Sequence, residues 1–197
     1  MDFSVISDNC FGVGVYRYLK SAYTSLFCHT IIPGPDYIRL LKDFDRYINI
    51  ELDLVSFSES AYKDTHPKTS IIGILGDVEI HFHHIGESGC KDFYYHGYED
   101  IKEKYNRRLD RFGRVARKNV LFKFGGVDNL EETIAYDNFD LLLRDFHSLE
   151  LSNKVSFTVV KYPYKGNYLI KKKHLLNCFS MGCEVSEYFD IRRSLEL

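Results

Sequence analysis

The chain has 197 residues, 45% of them hydrophobic and 15% aromatic, and a formal charge of −2 from interspersed acids and bases. That length and apolar content suit one globular domain, residues 1–197, and exclude a disordered or low-complexity protein. The near-neutral balance leaves no basic face for a nucleic acid, and no apolar run approaches the length of a membrane span.

Phe3, Val5 and Ile6 read as a short core strand, interrupted by Ser7-Asp8-Asn9, residues that favour turns and helix caps. From Gly12 the spacing Gly12, Tyr16, Leu19, Tyr23 marks one face of a helix, so Cys10 falls at or just before a helix N-terminus. Unpaired N–H groups and the positive dipole end favour a thiolate there; the alternative is a small buried hydrophobe. The acidic, polar start lacks the charged and apolar regions of a signal peptide, which points to the cytoplasm. Five cysteines, odd in number and without a repeat, suit reduced thiols.

Leu26–Ile32 is a second apolar run, ended by Pro33-Gly34-Pro35, a turn that can open a helix. Tyr37, Leu41, Phe44 and Ile48 then repeat at helical spacing, Glu51–Phe57 alternates like a half-buried strand, and Ser58–Ser70 is a polar loop. Ile71–Leu75 and Val78–Phe82 flank Gly76-Asp77 as the arms of a hairpin would. Ile101, Tyr105, Leu109 and Phe112 mark an amphipathic helix, Asn119–Phe124 a strand, and Phe139, Leu142, Leu143 and Phe146 another helix. Val155–Lys161 and Tyr168–Ile170 read as further strands, and a last helix starts near Ser186. This alternation predicts an α/β domain of three layers, a mixed but mostly parallel sheet with helices on both faces. Such sheets bind ligands beyond the carboxyl ends of their strands, where Cys10 and the histidines after Ile80 fall.

From Asp77 to His84 alternate residues share a face, so Glu79, His81 and His83 project together while Val78, Ile80 and Phe82 fill the other side. His81 suits a general base for Cys10, with Asp77 or Glu79 orienting its ring. Glu79, His81 and His83 also form a ligand set for a divalent metal, and a hydrogen-bonded histidine at a strand end is the plain structural alternative. On the helix that follows, Lys104, Arg108 and Arg111 lie three and four apart, a stripe able to grip a phosphate or carboxylate. Arg107 instead shares its face with Glu103 and Asp110, the pattern of a solvated, ion-paired surface.

Three stretches carry a family resemblance: Ile6-Ser-Asp-Asn-Cys-Phe-Gly12, Gly73-Ile-Leu-Gly-Asp-Val-Glu-Ile-His-Phe82, and Tyr105-Asn-Arg-Arg-Leu-Asp-Arg111 leading to Asn119–Lys123. In that order they resemble the bacterial exopolysaccharide biosynthesis proteins, a family of unknown function, from the start of the chain to about Phe124, with an echo at Asn153–Phe157. The family pattern has Trp-Gly-Gly after Asn-Cys, where this chain has Phe11-Gly12-Val13, and a tryptophan before the paired arginines, where this chain has Tyr105. The positions matched are Asn9, Cys10, Asp77, His81, Arg108 and Arg111, and the resemblance implies a role near surface-glycan synthesis. A fainter likeness to papain-like cysteine peptidases accompanies it.

Two functions follow. In the first, a cysteine hydrolase or acyltransferase, Cys10 attacks a carbonyl, His81 moves the proton and Asp77 orients it, with Asn9, Arg108 and Arg111 holding an anionic, glycan-related substrate. In the second, a non-catalytic module binds an anionic sugar or sugar nucleotide through the helix start after Cys10, the arginines and exposed tyrosines. There is no glycine-rich phosphate loop, Asp43-Phe-Asp45 falls within a predicted helix, and no cofactor is expected.

Overall fold

The computed structural model describes residues 4–8, 12–13, 16, 20–64, 71–82, 85–86, 94–114, 120–124, 139–151 and 154–156. The strand expected at 168–170 and the helix expected from 186 lie outside them. In chain order the elements are β1 (Ser4–Ser7), β2 (Thr30–Ile31), α1 (Gly34–Lys42), α2 (Phe44–Tyr47), β3 (Asp53–Ser56), β4 (Ile71–Leu75) and β5 (Val78–Phe82). They are followed by α3 (Tyr98–Arg114), β6 (Val120–Phe124), α4 (Phe139–Ser148) and β7 (Lys154–Ser156).

Two sheets form among the described residues, one ordered β1-β6-β7 and the other β2-β5-β4-β3. The first is parallel, with Ser4 opposite Val120 and Ser7 opposite Lys123. Every pair in the second is antiparallel. Helices and mixed strand pairing keep the chain in the α/β class. The mostly parallel sheet expected from the alternation is not what these residues build: parallel and antiparallel pairs segregate into different sheets. The cause is local. Gly76, at φ +64, supplies the left-handed turn residue that folds β5 straight back on β4, and β3 and β2 then add along the two sides of that hairpin.

The first helix closes early. Lys20 takes φ +50 and the Ser21 N–H donates to the Tyr16 carbonyl at 3.0 Å, a helix-ending arrangement, so Tyr23 lies beyond the helix on whose face it was expected. The Tyr16 hydroxyl accepts a 2.9 Å hydrogen bond from the Val5 N–H of β1, the outer strand of its sheet among the described residues, and lies 2.8 Å from Thr24 Oγ1. Pro35 and Asp36 open α1, where a missing N–H costs nothing and a carboxylate suits the dipole, and Arg39 and Lys42 close it. The single helix expected through Ile48 breaks at Asp43, whose φ of −140 and ψ of 51 are not helical.

The core joins the elements through aromatic contacts. Phe124 of β6 stacks on Tyr37 of α1 at 6.1 Å and on Phe146 of α4 at 5.6 Å, and the Tyr37 hydroxyl donates to the Ile6 carbonyl of β1 at 2.9 Å. Burying each such ring stabilises by roughly 1.5–3 kcal/mol. In β4 the missing side chain of Gly73 is replaced by neighbours: a Cβ there would meet Phe82 Cε2 at 2.7 Å and Leu52 Cδ1 at 2.8 Å. Among the described residues no helix is long and apolar enough to cross a membrane.

Candidate functional site

Helix α3 buries the stripe Ile101, Tyr105, Arg108, Phe112, so the apolar spacing carries one guanidinium inward with it. The four cations near this stripe are treated unequally. Lys104 Nζ donates to Asp100 Oδ2 at 2.8 Å and to the Tyr94 carbonyl, and Arg107 Nη1 meets Glu103 Oε1 at 3.2 Å. No carboxylate among the described residues pairs with Arg108 or Arg111. Arg108 is only 2% exposed. Its Nη1 donates to the Tyr95 hydroxyl at 2.9 Å and its Nη2 to the Tyr94 hydroxyl at 2.6 Å, with the guanidinium carbon 5.2 Å from the Tyr94 ring centroid.

The two tyrosines differ in what they do with their own protons. Tyr95 donates to the Cys28 carbonyl at 2.5 Å, whereas the Tyr94 hydroxyl, having accepted from Arg108, still has a proton to give. Arg111 Nη1 lies 3.3 Å from the Tyr23 carbonyl, and the Tyr23 ring meets Tyr94 edge-on at 6.1 Å. His29 stacks on the other aromatic surface here, 3.9 Å from the Tyr94 centroid, and holds φ +57, a strained backbone for a residue with a side chain. Burial works against the Arg108 charge, but Tyr95, Cys28 and Tyr94 around it outweigh that effect and raise its pKa. Burial also raises Tyr94 and Tyr95, against the pull of Arg108, and pushes the Cys28 thiol up to about 11.

His81 sits elsewhere. It is buried on β5, opposite Ile31 of β2 and Ile72 of β4, between the rings of Phe57 and Tyr62 at 6.2 and 6.1 Å. Its carboxylate neighbour is Glu79, with Oε2 3.3 Å from Nε2. Glu79 also accepts from Ser60 Oγ at 2.6 Å and from the Ala61 N–H at 2.7 Å, so it ties the segment after β3 onto the sheet. Asp36 continues the network, accepting from the Glu79 N–H at 2.7 Å and the Tyr62 hydroxyl at 2.9 Å; burial still raises its pKa against those bonds. Asp77, expected to orient His81, lies instead in the turn between β4 and β5 with its side chain 63% exposed. There it accepts from the Tyr47 hydroxyl at 2.7 Å, which holds its carboxyl below the usual range. A residue in a tight turn points away from the sheet face its strand neighbours share.

A third group closes the parallel sheet. Asp8, directly after β1, lies 3.4 Å from Lys123 of β6, and both are buried, at 2% and 0% side-chain exposure. They stand at the carboxyl ends of two adjacent parallel strands, the region where ligands of such sheets bind. Asn9, Cys10 and His83 lie outside the described residues. Of the residues expected in a site, Arg108 and Arg111 share one group, while His81 and Asp77 stand apart from it and from each other.

Tyr94, Tyr95, Asp8 and Lys123 carry no sequence signal of comparable strength. Asp8 reads as a turn former, and the pair Tyr94-Tyr95 has no periodicity to place it. Lys123 leaves a faint trace, a lysine between Phe122 and Phe124 in an otherwise apolar strand. Among the described residues no three metal-binding side chains converge, and both Glu79 oxygens already accept hydrogen bonds. A family model described as "Domain of unknown function (DUF1919)" matches residues 1–193. An uncharacterized protein of Haemophilus influenzae is 30% identical over 169 residues, 85% of this chain and 68% of that protein.

Proposed function

The chain belongs to the DUF1919 family, and on that premise we propose that it binds a small anionic molecule of surface-glycan metabolism, an anionic sugar or sugar nucleotide, at Arg108. The observation that carries this reading is a guanidinium 2% exposed and held by two tyrosine hydroxyls, with no carboxylate beside it among the described residues. Removing a cation from water costs several kcal/mol, and a bound oxyanion offsets that cost with charge-assisted hydrogen bonds. The half-buried Tyr23 beside the charge supplies an aromatic edge for a sugar ring to pack against, while His29 and Tyr94 stack on each other behind it. The glycan context comes from the sequence resemblance alone.

Arg108→Met, an apolar side chain of similar length, tests the reading by calorimetry with uronic acids, sugar phosphates and sugar nucleotides. Affinity falls at least tenfold for whichever ligand binds the wild type, while the thermal midpoint stays within a few degrees or rises, because an apolar replacement relieves the buried charge. Unchanged affinity in the variant, or no binding by the wild type across the panel, overturns it. Arg108→Lys, which keeps the charge and loses the fork, separates binding from folding if the methionine variant is unstable.

A second reading keeps Cys10 as the nucleophile of a hydrolase or acyltransferase. The buried Asp8–Lys123 pair supports it, because that pair sits at the carboxyl ends of β1 and β6, and Asp8 is two residues before Cys10 in sequence. In this reading His81 moves the proton and Glu79 takes the orienting place first given to Asp77. Alkylation of each cysteine followed against pH is the test: Cys10 reacts first, with an apparent pKa below the ordinary thiol value of about 8.5, and an inert Cys10 ends the reading.

A further inference from the structure

We infer that the group held at Arg108 and Arg111 is a dianion, a phosphoryl ester or diphosphate, rather than a single carboxylate. The inference rests on the anion-site reading above and concerns the charge the site is built for. Helix α3 assigns its nearby acids to the wrong cations for a neutral surface: Asp100 goes to Lys104 and Glu103 to Arg107. Two guanidiniums three residues apart are left without a carboxylate among the described residues, and positions i and i+3 of a helix are neighbours. Both attach to the same aromatic patch, Arg108 through the Tyr94 hydroxyl and Arg111 through the Tyr23 carbonyl, with the two rings 6.1 Å apart.

The helix C-terminus compensates only part of this charge. Its half negative charge acts within the last turn, so it serves Arg111 and scarcely reaches Arg108. More than one positive charge therefore remains, which a monoanion leaves unbalanced and a dianion matches. Donor geometry agrees. Arg108, Arg111 and the proton of the Tyr94 hydroxyl supply donors from three side chains, and a phosphoryl group presents three terminal oxygens out of one plane where a carboxylate presents two within it. Arg108 is buried while Tyr23, Tyr94 and Arg111 are half-buried, so among the described residues the solvent lies on their side of the guanidinium.

Among the described residues the ionisable groups around these arginines are His29, Tyr23, Tyr94, Tyr95, Cys28, Lys104, Asp100 and Asp110, and a set of fragment ligands separates their titration from that of the ligand. Binding of methyl phosphate, sulfate and acetate to the full chain is measured between pH 5 and 7.5. Methyl phosphate passes from monoanion to dianion near pH 6, so its affinity rises at least fivefold over the range. Sulfate stays a dianion throughout and its affinity stays flat; acetate binds at least tenfold more weakly than methyl phosphate at pH 7.5. Arg111→Gln, at a half-buried position, removes the preference for the dianion and keeps the weak monoanion binding, with an unchanged unfolding midpoint showing that the variant is folded. Acetate binding as tight as methyl phosphate overturns the dianion inference and leaves the anion site standing. Sulfate affinity that climbs in parallel with methyl phosphate also overturns it, since the protein would then be titrating. Failure of all three to bind overturns both.

Discussion

Arg108 owes its burial to arithmetic: a residue three positions after Tyr105 and four before Phe112 must face inward with them. That much is legible in the sequence, and so is the adjacency of Arg111. What spacing cannot reveal is which cations on a helix find acids, because Asp100 and Glu103 are equally available on paper to several partners. Nor can it reveal Tyr94 and Tyr95, which reach α3 only through the path of the chain before it. Tyr105 gives a sharper test of single-residue energetics. Its hydroxyl is buried and finds no hydrogen-bond partner among the described residues, and burial alone raises its pKa. Tyr105→Phe should therefore stabilise the fold by up to about 1 kcal/mol, since it removes a desolvated group that gains no bond in return. Denaturant unfolding checks this, and a loss of more than 1 kcal/mol would reveal an acceptor for that hydroxyl.

The hairpin β4–β5 was plain at the level of elements because two apolar runs met at Gly76-Asp77, and the observed arms span the predicted residues. The partition into two sheets was not. Alternation reports which face a residue takes and says nothing of which strand lies alongside, so a parallel sheet with an inserted hairpin and two separate sheets share one sequence pattern. The same limit applies to Asp43, where a continuous apolar stripe hides a break in the backbone. Gly73 shows a packing constraint inside a strand. Gly73→Ala places a Cβ 2.7 Å from the Phe82 ring, and Phe82 in turn touches Tyr95 edge-on at 5.3 Å. The expected loss is about 1–3 kcal/mol, read as a lower urea midpoint, with weakened ligand binding as Tyr95 shifts under Arg108. A midpoint equal to wild type would mean that the ring moves aside without strain.

Taken as a whole, the molecule keeps protons on groups that the unfolded chain would release. The folded chain holds the Cys28 proton up to about 11 because burial disfavours the thiolate, whereas the unfolded chain gives it up near 9.0. Stability is therefore complete below pH 9 and falls as the pH rises through 11, by an amount on the order of 2–3 kcal/mol from this group. Tyr16, pushed by burial from 10.0 up to about 12, extends the decline to higher pH. Unfolding midpoints measured from pH 8 to 11 should drop in the wild type and drop less in Cys28→Ala, whose curve starts lower because of the cavity left behind. Equal slopes in the two would place the thiol in contact with water.

Besides its part in the pH dependence, the Tyr16 hydroxyl covers a backbone donor of β1. Among the described residues β1 ends its sheet; an outward N–H on such an edge invites another extended chain to pair with it, and the phenol occupies that N–H on Val5. Tyr16→Phe keeps the ring and opens the edge, so concentrated solutions of the variant should form oligomers by light scattering while dilute ones stay like wild type. The Tyr16 phenol thus stands where the carbonyl of a neighbouring strand would otherwise pair, a single oxygen atom closing one donor of that edge.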